Sequence, residues 1–220
     1  MTVLDHTLVD TPLSTAMREG SMAEHEAAEH SSFMSELMGG KLNEQAYADY
    51  LLRFRAVYEA LETALRSRLD DPLVAAMYDP ALERLATIDA DLDHWSPGGP
   101  RTIDTPAVAA YRERVTAATE WGGLLVAHHY TRYLGDLSGG QAIGRILERT
   151  YELDGAGIAF YDFTEIPKPK VYKDGYRARL DGLELSADEK GRVVGEVKVA
   201  FHLNQAVFVE LGRDIDGYRR

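Results

Sequence analysis

One long helical pattern in this chain contains an unusual number of glycines. The pattern covers residues 124–130 (Leu-Leu-Val-Ala-His-His-Tyr) and resumes over residues 143–149. Four glycines lie in or directly after the stretch between them: Gly135, Gly139, Gly140 and Gly144. Each glycine inside a helix costs about 1 kcal/mol relative to alanine, so the group costs roughly 3–4 kcal/mol. A helix with this composition indicates that something must approach its backbone closely.

Two of these glycines predict a bare strip on the helix surface. Gly135 and Gly139 are four residues apart, which puts them on one face and one turn apart. A flat, bulky ligand could lie against the peptide groups there, with Asp136 and Ser138 as polar neighbours. Close packing against another helix explains the same glycines equally well when they are taken alone.

Composition excludes several classes of function. The chain has 220 residues, of which 45% are hydrophobic, and this predicts a single domain over residues 1–220 with a core at about 14–212. With 24 basic and 36 acidic residues the net charge is −12, which argues against nucleic-acid binding. The absence of cysteine excludes disulfides, thiolate catalysis, cysteine-bound zinc and iron–sulfur clusters.

The two ends of the chain carry no evident targeting signal. Residues 1–13 include Asp5 and Asp10 and lack the basic, apolar pattern of a signal peptide. No run reaches the roughly 18–20 apolar residues that span a bilayer. We therefore expect a cytoplasmic protein without a membrane anchor, and a monomer by default.

Hydrophobic periodicity predicts an all-α fold. Asn43 and the capping box Ser186-Ala-Asp-Glu189 mark helix starts, as does Pro106 after Thr105. No pair of strands is convincing. The predicted helices cover about residues 14–37, 43–69, 79–95, 105–120, 124–151, 170–180 and 187–211.

The first predicted helix contains a candidate metal ligand. His25 and His30 are five residues apart, about 140° around the helix, so one ion cannot readily bind both. Glu29 is four residues after His25 and could accept a hydrogen bond from one imidazole nitrogen while the other binds a metal. On spacing alone, two ordinary surface histidines are the more common interpretation.

A basic segment near the C-terminus contrasts with the acidic chain. Residues 168–179 carry five positive charges and one negative charge. Lys170, Lys173 and Arg177 share a helix face that suits carboxylates or phosphates. A solvated helix face is the competing interpretation, and the two are about equally favoured. We interpret His128 and His129 as members of a polar core network, and Tyr130 as one edge of the groove beside Gly135.

Together these features describe one ligand. A helix with a potential axial histidine faces a helix with a bare strip, and a cationic segment is available for anionic groups. A flat, iron-bearing dicarboxylate fits all three features, and heme is such a ligand.

The same motifs resemble those of a known family. The run Gly-Asp-Leu-Ser-Gly-Gly-Gln after His-His-Tyr-Thr-Arg-Tyr-Leu is similar to the signature of heme oxygenases. His25–Met34 resembles the helix on the proximal side of their heme, and Val171–Arg177 is also typical of them. The resemblance covers about residues 14–212, and the soluble bacterial branch is the most similar. It implies a fold in which heme lies between a proximal helix and a kinked, glycine-rich distal helix.

The resemblance also implies a role for individual residues. His25 would bind the heme iron, with Glu29 orienting it. Asp136 would anchor a distal water network supported by Arg132, Tyr58 and Asn204. Gly135 and Gly139 would let the distal backbone approach the heme. The other residues expected to bind heme are Arg18, Tyr130, Ser138, Gly140, Lys173 and Arg177, with Arg18, Tyr130, Lys173 and Arg177 at the propionates.

The implied activity is oxidative cleavage of heme at the α-meso carbon to biliverdin, carbon monoxide and ferrous iron. Heme is both cofactor and substrate, and the reaction uses dioxygen and electrons from a reductase or ferredoxin. The basic segment is a candidate docking site for an acidic electron donor. The alternative is a non-catalytic heme-binding or heme-sensing protein, which would not require Asp136. A thiaminase-type enzyme needs a cysteine, and a di-iron helical oxidase needs a ligand spacing that this chain lacks.

Overall fold

The computed structural model of the chain describes residues 10–220, and within them the fold is all-α. This confirms the predicted fold class. A single backbone bridge between Leu42 and Arg219 is the only strand-like pairing in this part of the chain. The α-helices are Leu13–Gly20, Met22–Glu29, Ser32–Met38, Glu44–Arg66, Pro72–Met77, Leu85–Trp95, Pro106–Ala117, Gly122–His129, Gln141–Tyr151, Pro169–Asp181 and Ala187–Gly212.

The first predicted helix is divided into three. Serine side chains compete with the helix for backbone groups at both breaks. Ser21 donates a hydrogen bond through Oγ to the carbonyl of Met17 at 2.7 Å, and Ser31 accepts one from the amide of Met34. The prediction of one continuous helix was therefore wrong, although each of the three pieces is helical. We call Met22–Glu29 the His25 helix.

The predicted helix starts are confirmed by their caps. The Asn43 side chain accepts from the amide of Ala46, and Thr105 accepts from Val108 ahead of a helix with Pro106 in its first turn. Ser186 and Glu189 form the reciprocal capping box. The helix Pro72–Met77 was not predicted, because its six residues are too few for a periodic pattern.

The C-terminal helix Ala187–Gly212 organises the core. It packs against the His25 helix, the helix Pro106–Ala117 and Gly122–His129. Its buried side chains include Val193, Val197 and Leu211. The C-terminal helix therefore contacts both the His25 helix and Gly122–His129, the helix that leads into the glycine-rich segment.

The glycine-rich helix runs over residues 122–151 and changes its winding in the middle. Residues Tyr130–Leu134 and Asp136–Gly140 are π-helical, between the α-helices Gly122–His129 and Gln141–Tyr151. The wider π-helical turn displaces the backbone locally and is common at functional sites. The irregular winding therefore coincides with the segment that contains Gly135, Gly139 and Gly140.

The chain ends are described only in part. The expected absence of a signal peptide rests mainly on residues 1–9, which lie outside the described residues. The C-terminal tail is joined to the loop before Glu44–Arg66, because the amide of Asn43 donates to the carbonyl of Tyr218 at 2.6 Å. No helix within residues 10–220 is long and apolar enough to cross a bilayer.

We predict that Gly140→Ala lowers the free energy of unfolding by about 1–3 kcal/mol, because the new Cβ would overpack the interior. That Cβ would lie 2.7 Å from Cδ1 of the buried Tyr161 ring. Urea unfolding of the ligand-free protein measures the change. Gly195→Ala is the matched control, since its Cβ meets nothing within 4 Å, and we expect it to stabilise by about 0.5–1 kcal/mol. Equal effects from the two substitutions would contradict the packing argument.

Candidate functional site

A cavity of about 410 Å³ lies between the His25 helix, the glycine-rich helix and the C-terminal helix. Its volume and its apolar lining with a few polar groups are typical of a small-molecule site. Most of the predicted site residues line it: Arg18, His25, Glu29, Tyr130, Arg132, Gly135, Asp136, Ser138, Gly139, Gly140, Arg177 and Asn204. The two remaining predicted site residues, Tyr58 and Lys173, each donate a hydrogen bond to a residue of the cavity wall. Tyr58 donates to Asp136, and Lys173 donates to Ser138.

His25 lies on one wall of this cavity. Its side chain is 48% exposed, and its Nε2 lies 3.4 Å from Oε1 of Glu29, one helical turn further on. The ring packs edge-on against Phe201 of the C-terminal helix, with ring centroids 5.2 Å apart. Glu29 and Phe201 therefore limit the orientations of an imidazole that has room for a ligand on its open side.

The glycines of the opposite wall have two different roles. A Cβ built on Gly135 or Gly139 would meet no atom within 4 Å, so their bare surfaces face open space. A Cβ on Gly140 would instead clash with Tyr161, and one on Gly144 would lie 3.3 Å from the same side chain. Only the first pair forms a strip that an added side chain would obstruct. Helix packing explains the other two, although Gly140 also borders the cavity.

A buried polar network stands behind this strip. Arg132 donates through Nη2 to Asp136 Oδ1 at 3.1 Å, through Nη1 to Asn204 Oδ1 at 2.9 Å, and through Nε to the Tyr58 hydroxyl at 3.1 Å. The Tyr58 hydroxyl in turn donates a hydrogen bond to Asp136 Oδ2. The guanidinium also lies over the Phe54 ring, 4.4 Å from its centroid. The network fixes the Asp136 carboxyl group at the edge of the cavity.

Burial raises the pKa of Asp136 above its usual range, while the positive charge of Arg132 and the hydrogen bond from Tyr58 oppose that shift. Asp136 as a whole residue is only 4% exposed. A buried carboxyl group with a raised pKa can hold and release a proton nearer to neutral pH than an exposed one can.

Three positive side chains lie at or near the mouth of the cavity. Arg18 and Arg177 border it, and Lys173 reaches Ser138 on the glycine-rich helix at 3.0 Å. Burial raises the pKa of the Tyr130 hydroxyl, and the charges of Arg177 and Arg18 oppose that rise. Within residues 10–220, the carboxylates that pair with these two arginines are exposed: Glu19 with Arg18, and Asp174 with Arg177. Such exposed pairs are weak, so an anionic ligand could replace them.

His128 and His129 lie in the core and not on the cavity wall. His128 Nε2 is 2.8 Å from Glu196 Oε1, and His129 Nδ1 is 2.7 Å from the Tyr176 hydroxyl. Burial lowers the pKa of His129 to about 3, so this imidazole is neutral. These contacts agree with the prediction of a polar core network.

Comparison with known proteins agrees with this geometry. The heme oxygenase family model matches residues 11–210. The chain belongs to the heme oxygenase family. Heme oxygenase of Rhodella violacea is 34% identical over 211 residues, covering 93% of this chain and 88% of that protein.

Solved heme oxygenase structures are also similar along nearly the whole chain. Heme oxygenase-2 of Synechocystis, in complex with heme and NO, superposes with a TM-score of 0.90 at 33% identity, covering 94% of this chain and 88% of that one. Heme oxygenase of Leptospira interrogans superposes with a TM-score of 0.86 at 36% identity, covering 91% of this chain and all of that one. The family consists of enzymes that degrade heme to biliverdin, and this favours an enzyme over a non-catalytic heme-binding protein.

Sequence reasoning missed part of this heme oxygenase cavity. Its apolar wall comes largely from side chains that the sequence motifs do not indicate: Ala28, Met34, Tyr50, Leu134, Ile143, Phe201 and Phe208. Phe201, Asn204 and Phe208 follow one another at helical spacing, so they share a face of the C-terminal helix. That pattern could have indicated the face, but it does not distinguish a cavity wall from a packed core.

We predict that Gly139→Ala separates stability from function in this heme oxygenase. The ligand-free protein should keep its stability or gain about 0.5–1 kcal/mol, because alanine is the better helix former and the space is open. The methyl group should obstruct the bare strip, which would weaken heme binding and change the ratio of biliverdin isomers or divert the reaction to peroxidase-like chemistry. Urea unfolding, heme titration and chromatography of the products measure these effects. Unchanged affinity and products would show that the strip is not the contact surface.

Proposed function

We propose that this protein cleaves heme at the α-meso carbon, with His25 on one side of the porphyrin and the strip of Gly135 and Gly139 on the other. The observation that carries the proposal is the cavity itself, which combines a half-exposed imidazole, the bare strip of Gly135 and Gly139, and positive side chains at its mouth. When bound, heme supplies the redox-active iron and the oxidisable ring, and its products are biliverdin, carbon monoxide and ferrous iron.

His25 is the proposed iron ligand. Neutral imidazole is a common ligand of heme iron, and a carboxylate on the second ring nitrogen fixes its orientation. Glu29 is within 3.4 Å of the ring and can take that second role once the ring turns its other nitrogen to the cavity. Phe201 supports the ring from the side.

The proposed partners of the two heme propionates are Arg18, Lys173, Arg177 and Tyr130. All four lie at or near one side of the cavity mouth, and each can donate a hydrogen bond to a carboxylate. Charge-assisted hydrogen bonds of this kind are stronger than neutral ones. Holding both carboxylates at one edge would fix the rotation of the ring in its plane, and this would select the meso carbon that reacts.

Asp136 is proposed to hold a proton and an ordered water on the distal side. Arg132 and Tyr58 keep its carboxyl group in place, and its burial raises its pKa. A carboxyl group that acts through water places a proton donor near the reacting edge without setting a strong acid against it. The bare backbone at Gly135 and Gly139 would let the distal helix lie close to the ring and so limit the space on that side.

The decisive experiment is an absorbance time course of the purified protein with one equivalent of hemin, followed by ascorbate under air with an iron chelator. We expect the Soret band to decay while a biliverdin band grows. Asp136→Asn should retain the initial Soret band and lose most of the biliverdin, since the amide cannot supply the proton. A stable Soret band in the unmodified protein, also with a biological reductase, would favour a binding protein without turnover.

We predict that His25→Ala removes the proposed iron ligand and changes the heme spectrum, with little biliverdin formed. Added imidazole should restore the ligand spectrum, because the truncated side chain leaves room for it. His30→Ala is the control on the same stretch of chain: His30 Nδ1 lies 2.8 Å from the carbonyl of Glu26, and His30 is not part of the cavity wall. If His30→Ala and His25→Ala behaved alike, His25 would not be the ligand.

The electron donor is proposed to be an acidic reductase or ferredoxin that docks on Pro169–Asp181, the basic helix. Lys170 is 92% exposed as a side chain, and Val171 beside it is 65% exposed. A cationic surface with an exposed apolar residue suits a transient, electrostatically steered complex. Its position next to Lys173 and Arg177 would bring a donor close to the cavity mouth.

We predict that reversing Lys168 and Lys170 to Glu raises the apparent KM for the protein donor, while ascorbate-driven turnover is unchanged. The effect should shrink at high ionic strength, because salt screens exposed charges. Lys41→Glu, in the loop before Glu44–Arg66, is the control for a charge reversal elsewhere. Steady-state kinetics with both donors provide the measurement, and equal KM values for all variants would rule out this docking surface.

A further inference from the structure

The helix Leu13–Gly20, which carries Arg18, is capped by a residue from a distant part of the chain. Its own N-cap residue is Pro12, which makes no side-chain cap hydrogen bond. The first amides of a helix have no partner within the helix. The Ser14 amide donates instead to Oδ1 of Asp181 at 2.8 Å, and the Ser14 hydroxyl donates to Oδ2 at 3.0 Å. We call these two hydrogen bonds the Ser14–Asp181 joint.

Asp181 is unfavourably placed in its own helix. It is the last residue of the basic helix, Pro169–Asp181, where the helix dipole is negative and disfavours an anion. At the N-terminus of Leu13–Gly20 the dipole is positive, and the same carboxylate is favoured there. The electrostatic benefit of Asp181 therefore lies in its contact with the neighbouring helix.

Two arginines of the cavity mouth lie one helical turn from this joint. Arg18 is four residues after Ser14, and Arg177 is four residues before Asp181. Residues at this spacing share a helix face and lie about 6 Å apart along the axis. Both arginines border the cavity. The joint therefore fixes the relative position of the two helices close to both cations.

The Tyr130 hydroxyl lies near both arginines. Burial raises the pKa of this hydroxyl, and the charges of Arg177 and Arg18 oppose that rise. Charge interactions weaken with distance, so both guanidinium groups are close to the same side of the cavity. Their ion pairs with Glu19 and Asp174 stay within one helix each, whereas the joint crosses from one helix to the other.

The basic helix is anchored to the glycine-rich helix by buried contacts. The Tyr176 hydroxyl lies 2.7 Å from His129 Nδ1, and the two buried rings stack with centroids 5.6 Å apart. Lys173 donates to Ser138 on the same side. The joint, by contrast, is exposed. The position of Arg18 relative to the glycine-rich helix therefore depends in part on an exposed contact.

We propose that Asp181 is a positioning residue for heme: by holding Ser14 it sets the spacing between Arg18 and Arg177, and so fixes the rotation of the porphyrin in its plane. The proposal rests on the propionate contacts described under the proposed function. The two propionates are attached to neighbouring pyrroles of a rigid ring, so two cations at a matching separation favour one orientation of the ring. Loosening the joint would let Arg18 move and would admit other orientations.

Three substitutions separate the hydrogen bonds of the joint from the charge of the carboxylate. Asp181→Ala removes both hydrogen bonds. Asp181→Asn removes the charge but can keep both, because its amide oxygen accepts from the Ser14 amide and its NH2 group donates to the Ser14 hydroxyl. Glu184→Ala is the matched control, since it removes an exposed carboxylate three residues later that takes no part in the joint.

The measurements use the heme complex of the full chain. Transfer of heme to an excess of apomyoglobin gives the dissociation rate, and chromatography after ascorbate-driven turnover gives the ratio of biliverdin isomers. We expect Asp181→Ala to raise the dissociation rate roughly 2–10-fold, as the loss of one or two hydrogen bonds would, and to increase the share of isomers other than α. Asp181→Asn and Glu184→Ala should resemble the unmodified protein in both measurements.

A double-mutant cycle shows whether Asp181 acts through Arg18. Arg18→Ala by itself should raise the dissociation rate and change the isomer ratio. Adding Asp181→Ala should then change little, because the cation that the joint positions is already gone. Urea unfolding of the ligand-free variants establishes that each of them is folded.

Four results would overturn the inference. Equal effects of Asp181→Asn and Asp181→Ala would assign the role to the charge and not to the joint. An unchanged isomer ratio in Asp181→Ala, the same change in Glu184→Ala, or additive effects with Arg18→Ala would also reject it. An unmodified protein that forms no heme spectrum or no biliverdin would instead reject the proposed function on which the inference depends.

Discussion

The structure depends on one buried cation. Arg132 is 6% exposed, and its guanidinium joins three helices, since its partners are Asp136 on its own helix, Tyr58 on Glu44–Arg66 and Asn204 on the C-terminal helix. Removing one partner of a buried ion pair costs about 3–5 kcal/mol, because a charge is left without compensation. The three helices are therefore held in the register that forms the cavity. The hydrogen bonds of Arg132 that join these helices also orient the Asp136 carboxyl group, which is proposed to act in the reaction.

The glycine-rich helix meets two opposing requirements within ten residues. Gly140 and Gly144 allow Tyr161 to pack closely, which ties the helix to the segment that follows it. Gly135 and Gly139 leave open space on the other side, where the helix gains no packing at all. The π-helical segments Tyr130–Leu134 and Asp136–Gly140 lie in this region, and such wider turns are common at functional sites. The glycines that allow packing and the glycines that border open space are therefore close together in the sequence. They differ in whether Tyr161 or empty space lies beside them.

Much of the site was predictable because its chemistry is carried by a few unusual residues. Four glycines in a helix, a histidine with a carboxylate one turn later, and a positive segment in an acidic chain are rare combinations, and each indicated a component of the site. The similarity to heme oxygenase motifs then supplied the pairing of Asp136 with Arg132, Tyr58 and Asn204, which no local pattern contains. The apolar wall at Phe201 and Phe208 was missed, since hydrophobic residues at helical spacing look the same in a core and in a cavity. The continuous first helix was predicted wrongly, because Ser21 and Ser31 act through hydrogen bonds that periodicity does not register.

The sequence by itself determined the all-α class, most helix starts and the identity of the reactive groups, because caps, glycines and titratable side chains act over a few residues. Only the tertiary structure decided which glycines face empty space and which face Tyr161. It also decided that His128 and His129 belong to the core while His25 borders the cavity. These properties depend on the relative positions of helices that are far apart in the chain, and those positions follow from the packing of the whole core around Arg132.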